Sequence, residues 1–139
     1  MSALFFFVPF CMPRKPSRKT LIKKLDKVFS EYIRKRDTDK NGYGLCCTCA
    51  KRIHYKEGHA GHFMSRRHYA TRWDEENVAL QCCGCNSFRG GEQYKFALFL
   101  NDKYKTEKAT ELLIKSRESV KYSLDELEEM IKYFKNLLT

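Results

Sequence analysis

Six of the seven cysteines stand in two short clusters, Cys46-Cys47-Thr48-Cys49 and Cys82-Cys83-Gly84-Cys85. Each cluster holds a C-x-x-C pair, and two such pairs supply the four thiolates of a closed tetrahedral site for structural Zn2+. Cys46, Cys49, Cys82 and Cys85 are the expected ligands, because two intervening residues let both sulfurs of a pair turn onto one ion. The C-x-C alternatives through Cys47 and Cys83 give a tighter bite, which leaves those two as structural or solvent-facing thiols. Two disulfides, or four unliganded thiols, are the competing reading. The 32 residues between the pairs form a loop large enough to hold a site, and His54, His59, His62 and His68 all fall inside it. Imidazole titrates near neutrality, so such a histidine can take a proton from water or ligate a metal.

These side chains need a frame. From Thr20 to Arg36 the apolar residues Leu21, Leu25, Val28, Phe29, Tyr32 and Ile33 recur at steps of three and four, which predicts a helix with one core-facing stripe and a basic opposite face. Asp37 to Gly42 reads as a turn, and residues 43–80 as short strands and loops around the first cysteine knuckle. Asn86 to about Tyr104 has the apolar content of a helix, which Gly90-Gly91 should interrupt, and residues 107–117 form another short helix. Ser123 followed by Glu126 is a capping box that opens a last helix with Leu127, Ile131, Phe134 and Leu138 on one stripe. That stripe suits core packing better than a dimer seam.

With 139 residues the chain is long enough for one modest core. Lys and Arg number 27 against 17 Asp and Glu, a net charge of +10. The excess is uneven: residues 1–40 hold 11 basic and 4 acidic side chains, whereas residues 101–139 hold 8 of each. Such a balance favours a polyanionic partner, although solvated basic faces also keep small proteins soluble. Clustered cysteines point to a reducing compartment. The apolar run Leu4 to Phe10 is too short to span a bilayer and makes a poor signal peptide, so no membrane is expected as a partner. Residues 1–19 are read as a flexible basic segment, with 1–11 a misassigned upstream extension before a start at Met12, and 20–139 as a single domain.

His62, Asn77 and Asn86 follow one another at intervals of 15 and 9, the last directly after Cys85. This resembles the HNH, or ββα-metal, nuclease motif in its H-N-N form. The resemblance implies an α+β fold: a small zinc-stapled ββα-metal core, flanked by the amino-terminal helix and the carboxy-terminal helices. It implies phosphodiester hydrolysis with His62 as general base, Asn77 fixing the loop and the orientation of the imidazole, and Asn86 offering its carbonyl oxygen to a hard divalent ion, Mg2+ or Mn2+. Members of that superfamily commonly carry an acidic residue or histidine directly before the base, where this chain has Gly61. His59 is the nearest replacement, as a ligand direct or through water, or else it is a surface histidine; as a ligand it would favour manganese, cobalt or nickel.

A closer resemblance covers Lys24 to Leu138. Phe29-Ser30-Glu31-Tyr32-Ile33-Arg34-Lys35-Arg36-Asp37, Ala60-Gly61-His62-Phe63, Thr71-Arg72-Trp73-Asp74-Glu75-Glu76-Asn77, and Gln81-Cys82 through Cys85-Asn86 are similar to the lambda NinG (Rap) family of phage recombination endonucleases. The family pattern often has aspartate where His59 stands. What it implies is a phage-encoded enzyme in the cytoplasm of a bacterial host. Its substrate would be branched or single-strand-containing DNA, such as Holliday junctions and D-loops, and its partners phage or host recombination proteins. Symmetric resolution of a four-way junction would favour a homodimer. A catalytically silent, zinc-stabilised DNA-binding accessory protein is the alternative, and an RNA-binding zinc protein a more distant one.

Arg66, Arg67 and Arg72 lie between His62 and Asn77, Arg89 follows Asn86 by three residues, and Lys23 and Lys24 sit on the basic face of the first helix. All six are the expected phosphate contacts, guanidinium forks being suited to phosphate oxygens. Tyr69 and Trp73 either stack on a base or belong to the core, and Trp73 is expected to pack behind the site.

Overall fold

The computed structural model describes residues 9–139 together with Leu4 and Phe6. Most of the apolar run at the extreme amino terminus, and the start of the stretch read as an upstream extension, lie outside the described residues.

Helix α1 (Arg18–Arg36) begins where Ser17 accepts a hydrogen bond from the Thr20 amide, and it ends with Arg34, Lys35 and Arg36 in the last turn, where cations complement the helix dipole. It therefore starts two residues before the sequence reading put it. Leu21, Leu25, Val28, Phe29 and Ile33 form its buried stripe. Helix α5 (Leu124–Leu137) starts at Ser123, whose side chain accepts from the Glu126 amide, and buries Leu127, Ile131 and Phe134. The two stripes close on each other in one cluster, with Phe29 and Phe134 edge to face at 4.9 Å. The last helix thus spends its apolar face inside the chain.

Between these helices lie two small antiparallel sheets. Strands β1 (Tyr43–Leu45) and β2 (Arg52–His54) frame the first cysteine knuckle, and β3 (His59–His62) pairs with β4 (Val78–Gln81). The register sets His59 against Gln81 and His62 against Val78. Strand β3 and α1 share a packed face: Ala60 joins the α1 core, and the His62 ring lies 6.3 Å from that of Phe29. Ala79 belongs instead to a cluster with Phe96, Leu100 and Leu112 on the far side of the hairpin.

The end of α1 is locked to β4. The Asp37 carboxylate accepts from the Leu80 amide at 2.9 Å and from Arg36, while Arg36 donates to the carbonyls of Glu75 and Val78, each at 2.8 Å. A short helix α2 (Tyr69–Arg72) sits in the loop between β3 and β4. After β4 comes a π-helical turn, Gly84–Phe88, which carries Asn86. The chain then breaks at Gly90 and Gly91, both at positive φ, before α3 (Gln93–Tyr104) and α4 (Lys108–Ser116). The interruption at the glycine pair follows the sequence reading; what precedes it is a π-turn rather than the first turn of a longer helix. The architecture is a mixed α+β one, with helices on both sides of two small sheets. No helix among the described residues is long and apolar enough to cross a membrane.

Candidate active-site cleft and cysteine knuckle

The four cysteines singled out by spacing come together. The sulfurs of Cys46, Cys49, Cys82 and Cys85 all lie within 4.8 Å of one another, and Cys49 Sγ and Cys82 Sγ are 3.8 Å apart. Zinc–sulfur bonds of about 2.3 Å in a tetrahedron require sulfur separations of about 3.8 Å, so the spacing fits a zinc ion. Backbone turns build the cage: the Ala50 amide bonds the Cys46 carbonyl, Ala50 adopts positive φ, and the Cys85 amide points at Cys82 Sγ. Burial pushes the Cys46 thiol up, but the Thr48 hydroxyl and neighbouring amides outweigh it and hold it below the ordinary thiol range, the direction that favours the thiolate a metal ligand requires. Cys47 stands apart, its amide bound to the Leu80 carbonyl and its thiol pushed up by burial, while Cys83 is exposed.

The second site is a cleft of 490 Å³ between α1 and the β3–β4 hairpin. His59 and His62 line it from the two ends of β3, Asn86 from the π-turn, and Arg66 from the following loop. The His62 ring is the most constrained of these. Its Nε2 lies 2.8 Å from the Arg72 carbonyl oxygen. A carbonyl only accepts, so Nε2 carries the proton and Nδ1 is left as the basic nitrogen. Burial lowers the pKa of His62 from the ordinary histidine value, against the opposing influence of that hydrogen bond, which keeps the ring neutral.

Asn77 is fully buried and does not touch the ring. Its side-chain oxygen accepts from the Met64 amide, its Nδ2 donates to the carbonyls of Met64 and Thr71, and its own carbonyl accepts from Phe63. It staples both ends of the loop that supplies the Arg72 carbonyl, and so acts on His62 indirectly. Asn86 Nδ2 and His59 Nδ1 are 3.0 Å apart, so an imidazole nitrogen and a carboxamide share one side of the cleft. Both side chains carry atoms that can ligate a metal ion, while the group of three or more metal-ligating side chains that gathers among the described residues is the cysteine one.

Gly61 has a physical reason. A β-carbon there would sit 2.2 Å from Gln81 Oε1, so the position directly before His62 has no room for a side chain. Gln81 itself is fully buried, and its Nε2 donates to Thr48 in the knuckle and to the Gly91 carbonyl. Its Oε1 is without a partner among the described residues.

The basic residues divide. Arg66 is 62% exposed and reaches toward Asp26 at 3.9 Å. Arg67, Arg89, Lys23 and Lys24 are exposed and do not line the cleft. Arg72 requires a correction: instead of facing phosphate, its side chain is 15% exposed and forks onto Asp26, with Nε at 3.1 Å and Nη2 at 2.6 Å. Trp73 lies in the core, its indole N–H donating to Asp26 at 3.0 Å, whereas Tyr69 remains at the surface.

Sequence reasoning missed the α1 wall of the cleft, made by Asp26, Ser30 and Arg34. The signal was present: the three stand four residues apart, one polar stripe beside the apolar one.

A model of the family described as bacteriophage lambda NinG protein matches residues 14–139. No curated protein and no solved structure matches the chain. The match takes in the cysteine cage, the cleft and every helix, and on it the chain belongs to the bacteriophage lambda NinG protein family.

Proposed function

We propose that this protein is a metal-dependent DNA endonuclease of the HNH type, with branched recombination intermediates as its substrates. The observation that carries the reading is the state of His62: neutral, its tautomer set by the Arg72 carbonyl, in a basic-rimmed cleft that also holds His59 and Asn86. The reading is also supported by chain order, since the β3–β4 hairpin is followed by the π-turn that bears Asn86.

His62 takes a proton from a water molecule as that water's oxygen attacks the phosphorus, and the bond to the 3′ oxygen breaks, that oxygen leaving with the electron pair and taking a proton from solvent. Asn77 holds the loop, and through it the carbonyl that keeps His62 in the productive tautomer. His59 and Asn86 are the residues that would hold a divalent cation. Such an ion supplies positive charge at the scissile phosphate and the departing oxygen. Arg66 reaches the phosphate from the rim, and Arg67, Arg89, Lys23 and Lys24 hold flanking phosphates. Cys82 and Cys85, which would hold zinc together with Cys46 and Cys49, lie at the end of β4 and in the π-turn, so a bound ion would fix the place of Asn86.

The test is cleavage of labelled linear duplex, single-stranded and four-way-junction DNA side by side, with magnesium, manganese or no added metal. Metal-dependent cutting concentrated on the junction supports the full reading. Equal cutting of all three keeps the nuclease and removes the preference for branches. Tight binding with no cutting under any metal favours the silent accessory module.

A further inference from the structure

We propose that Asp26, on the first helix, is a positioning residue that fixes the tautomer of His62 through Arg72. The inference rests on the nuclease reading for its consequence, but not for its geometry. Asp26 gathers donors from Arg72 and Trp73, the two residues at the end of α2 within the β3–β4 loop. Its Oδ2 accepts from Arg72 Nη2 at 2.6 Å, and its Oδ1 from Arg72 Nε at 3.1 Å and from the Trp73 indole at 3.0 Å. A bidentate carboxylate and guanidinium pair is directional as well as strong, so it fixes the plane and the position of the fork. Arg72 is held at a second point, Nη1 donating to the Arg66 carbonyl at 2.9 Å. The backbone of the same residue supplies the carbonyl that accepts from His62 Nε2. Asp26 thus stands two steps from the base, with Arg72 between them.

A carboxylate in a cleft meant for phosphate needs a reason to be there. The fork neutralises its charge, and the connection sets which imidazole nitrogen is free. Asn77 anchors the loop at Met64 and Thr71, just before Arg72, and leaves Arg72 itself to α1. The helix therefore does more than cover the hairpin: it carries the group that locates the hydrogen-bond acceptor of the base.

The direct readout is the nitrogen-15 NMR signature of the His62 ring in the full zinc-loaded chain, above its pKa, for wild type and Asp26→Asn. Wild type should show a protonated Nε2 and an unprotonated Nδ1. Asp26→Asn keeps the shape and one acceptor but loses the fork, and its signals should move toward a tautomer mixture, with kcat for DNA cleavage reduced about tenfold and KM within twofold. Arg72→Lys, which keeps the charge and loses one arm, should move the signals in the same direction by less; it also carries the test if Asp26→Asn does not fold. A merely structural Asp26 would lower the melting temperature and leave the tautomer as it is, which would overturn the proposal. A tautomer shift in Asp26→Asn, where the wild-type chain itself cuts no DNA, would uphold the positioning role and remove the nuclease reading instead.

Discussion

Burial disfavours the charged form of His62, and the Arg72 carbonyl holds Nε2 protonated, which leaves Nδ1 as the nitrogen free to accept a proton. Its lowered pKa has a sign that can be checked. Below about pH 6.5, the ordinary histidine value, the unfolded chain takes up a proton that native His62 refuses. Stability should therefore fall with pH from that point down to the native pKa and level off below it, and the acid limb of cleavage should lie below pH 6.5. Thermal melts and a pH–rate profile measure the two. Asn77 bears on the same group by a different route, with three side-chain hydrogen bonds into one loop. Asn77→Ala leaves buried amide and carbonyl groups unpaired and should cost about 3 kcal/mol in denaturant unfolding, with cleavage lost in the fraction that stays folded. From the sequence, spacing and the resemblance it carries to the HNH motif brought His62, Asn77, Asn86 and His59 into view. Arg72 was misplaced, because a surface-loop arginine and one forked onto a helix carboxylate look alike until the partner 46 residues away is known.

The elements were legible where a period or a cap announces them. The stripe of α1 and the Ser123 cap of α5 are local signals, and the two stripes cover each other in one cluster. Leu25 is fully buried in that cluster, so Leu25→Ala should cost about 3 kcal/mol by the same unfolding measurement. The π-turn was not legible, because nothing in Gly84-Cys85-Asn86-Ser87-Phe88 separates a π-turn from an α-turn. Nor was the reason for Gly61, which depends on a side chain across the hairpin. Gly61→Ala drives a methyl group into Gln81, which also ties the hairpin to Thr48 of the knuckle. The variant should lose about 2 kcal/mol of stability, read from its melt, with the zinc content kept.

Across the whole molecule, the cysteine cage joins two segments more than thirty residues apart in a chain with only small clusters around its sheets. Structural zinc contributes on the order of 10 kcal/mol in small domains, comparable to the whole stability of an ordinary one. Chelation should therefore unfold the chain cooperatively, seen as loss of far-ultraviolet ellipticity with one equivalent of zinc released. The charge of +10 acts at the same scale. If Arg66, Arg67, Arg89, Lys23 and Lys24 all meet phosphates, log affinity for duplex DNA should fall against log salt with a slope of about −4.5, and Arg66→Ala should reduce that slope by about 0.9. The claim that ties these scales together is that His62 does chemistry on DNA that the rest of the molecule binds. Its most direct test is single-turnover cleavage of a labelled four-way junction by wild type and His62→Ala, with binding and zinc content measured on the same samples. The account predicts a rate at least about a hundredfold lower in His62→Ala, with zinc and DNA affinity unchanged. Equal rates in the two proteins, or loss of zinc and binding together with cutting, would contradict it.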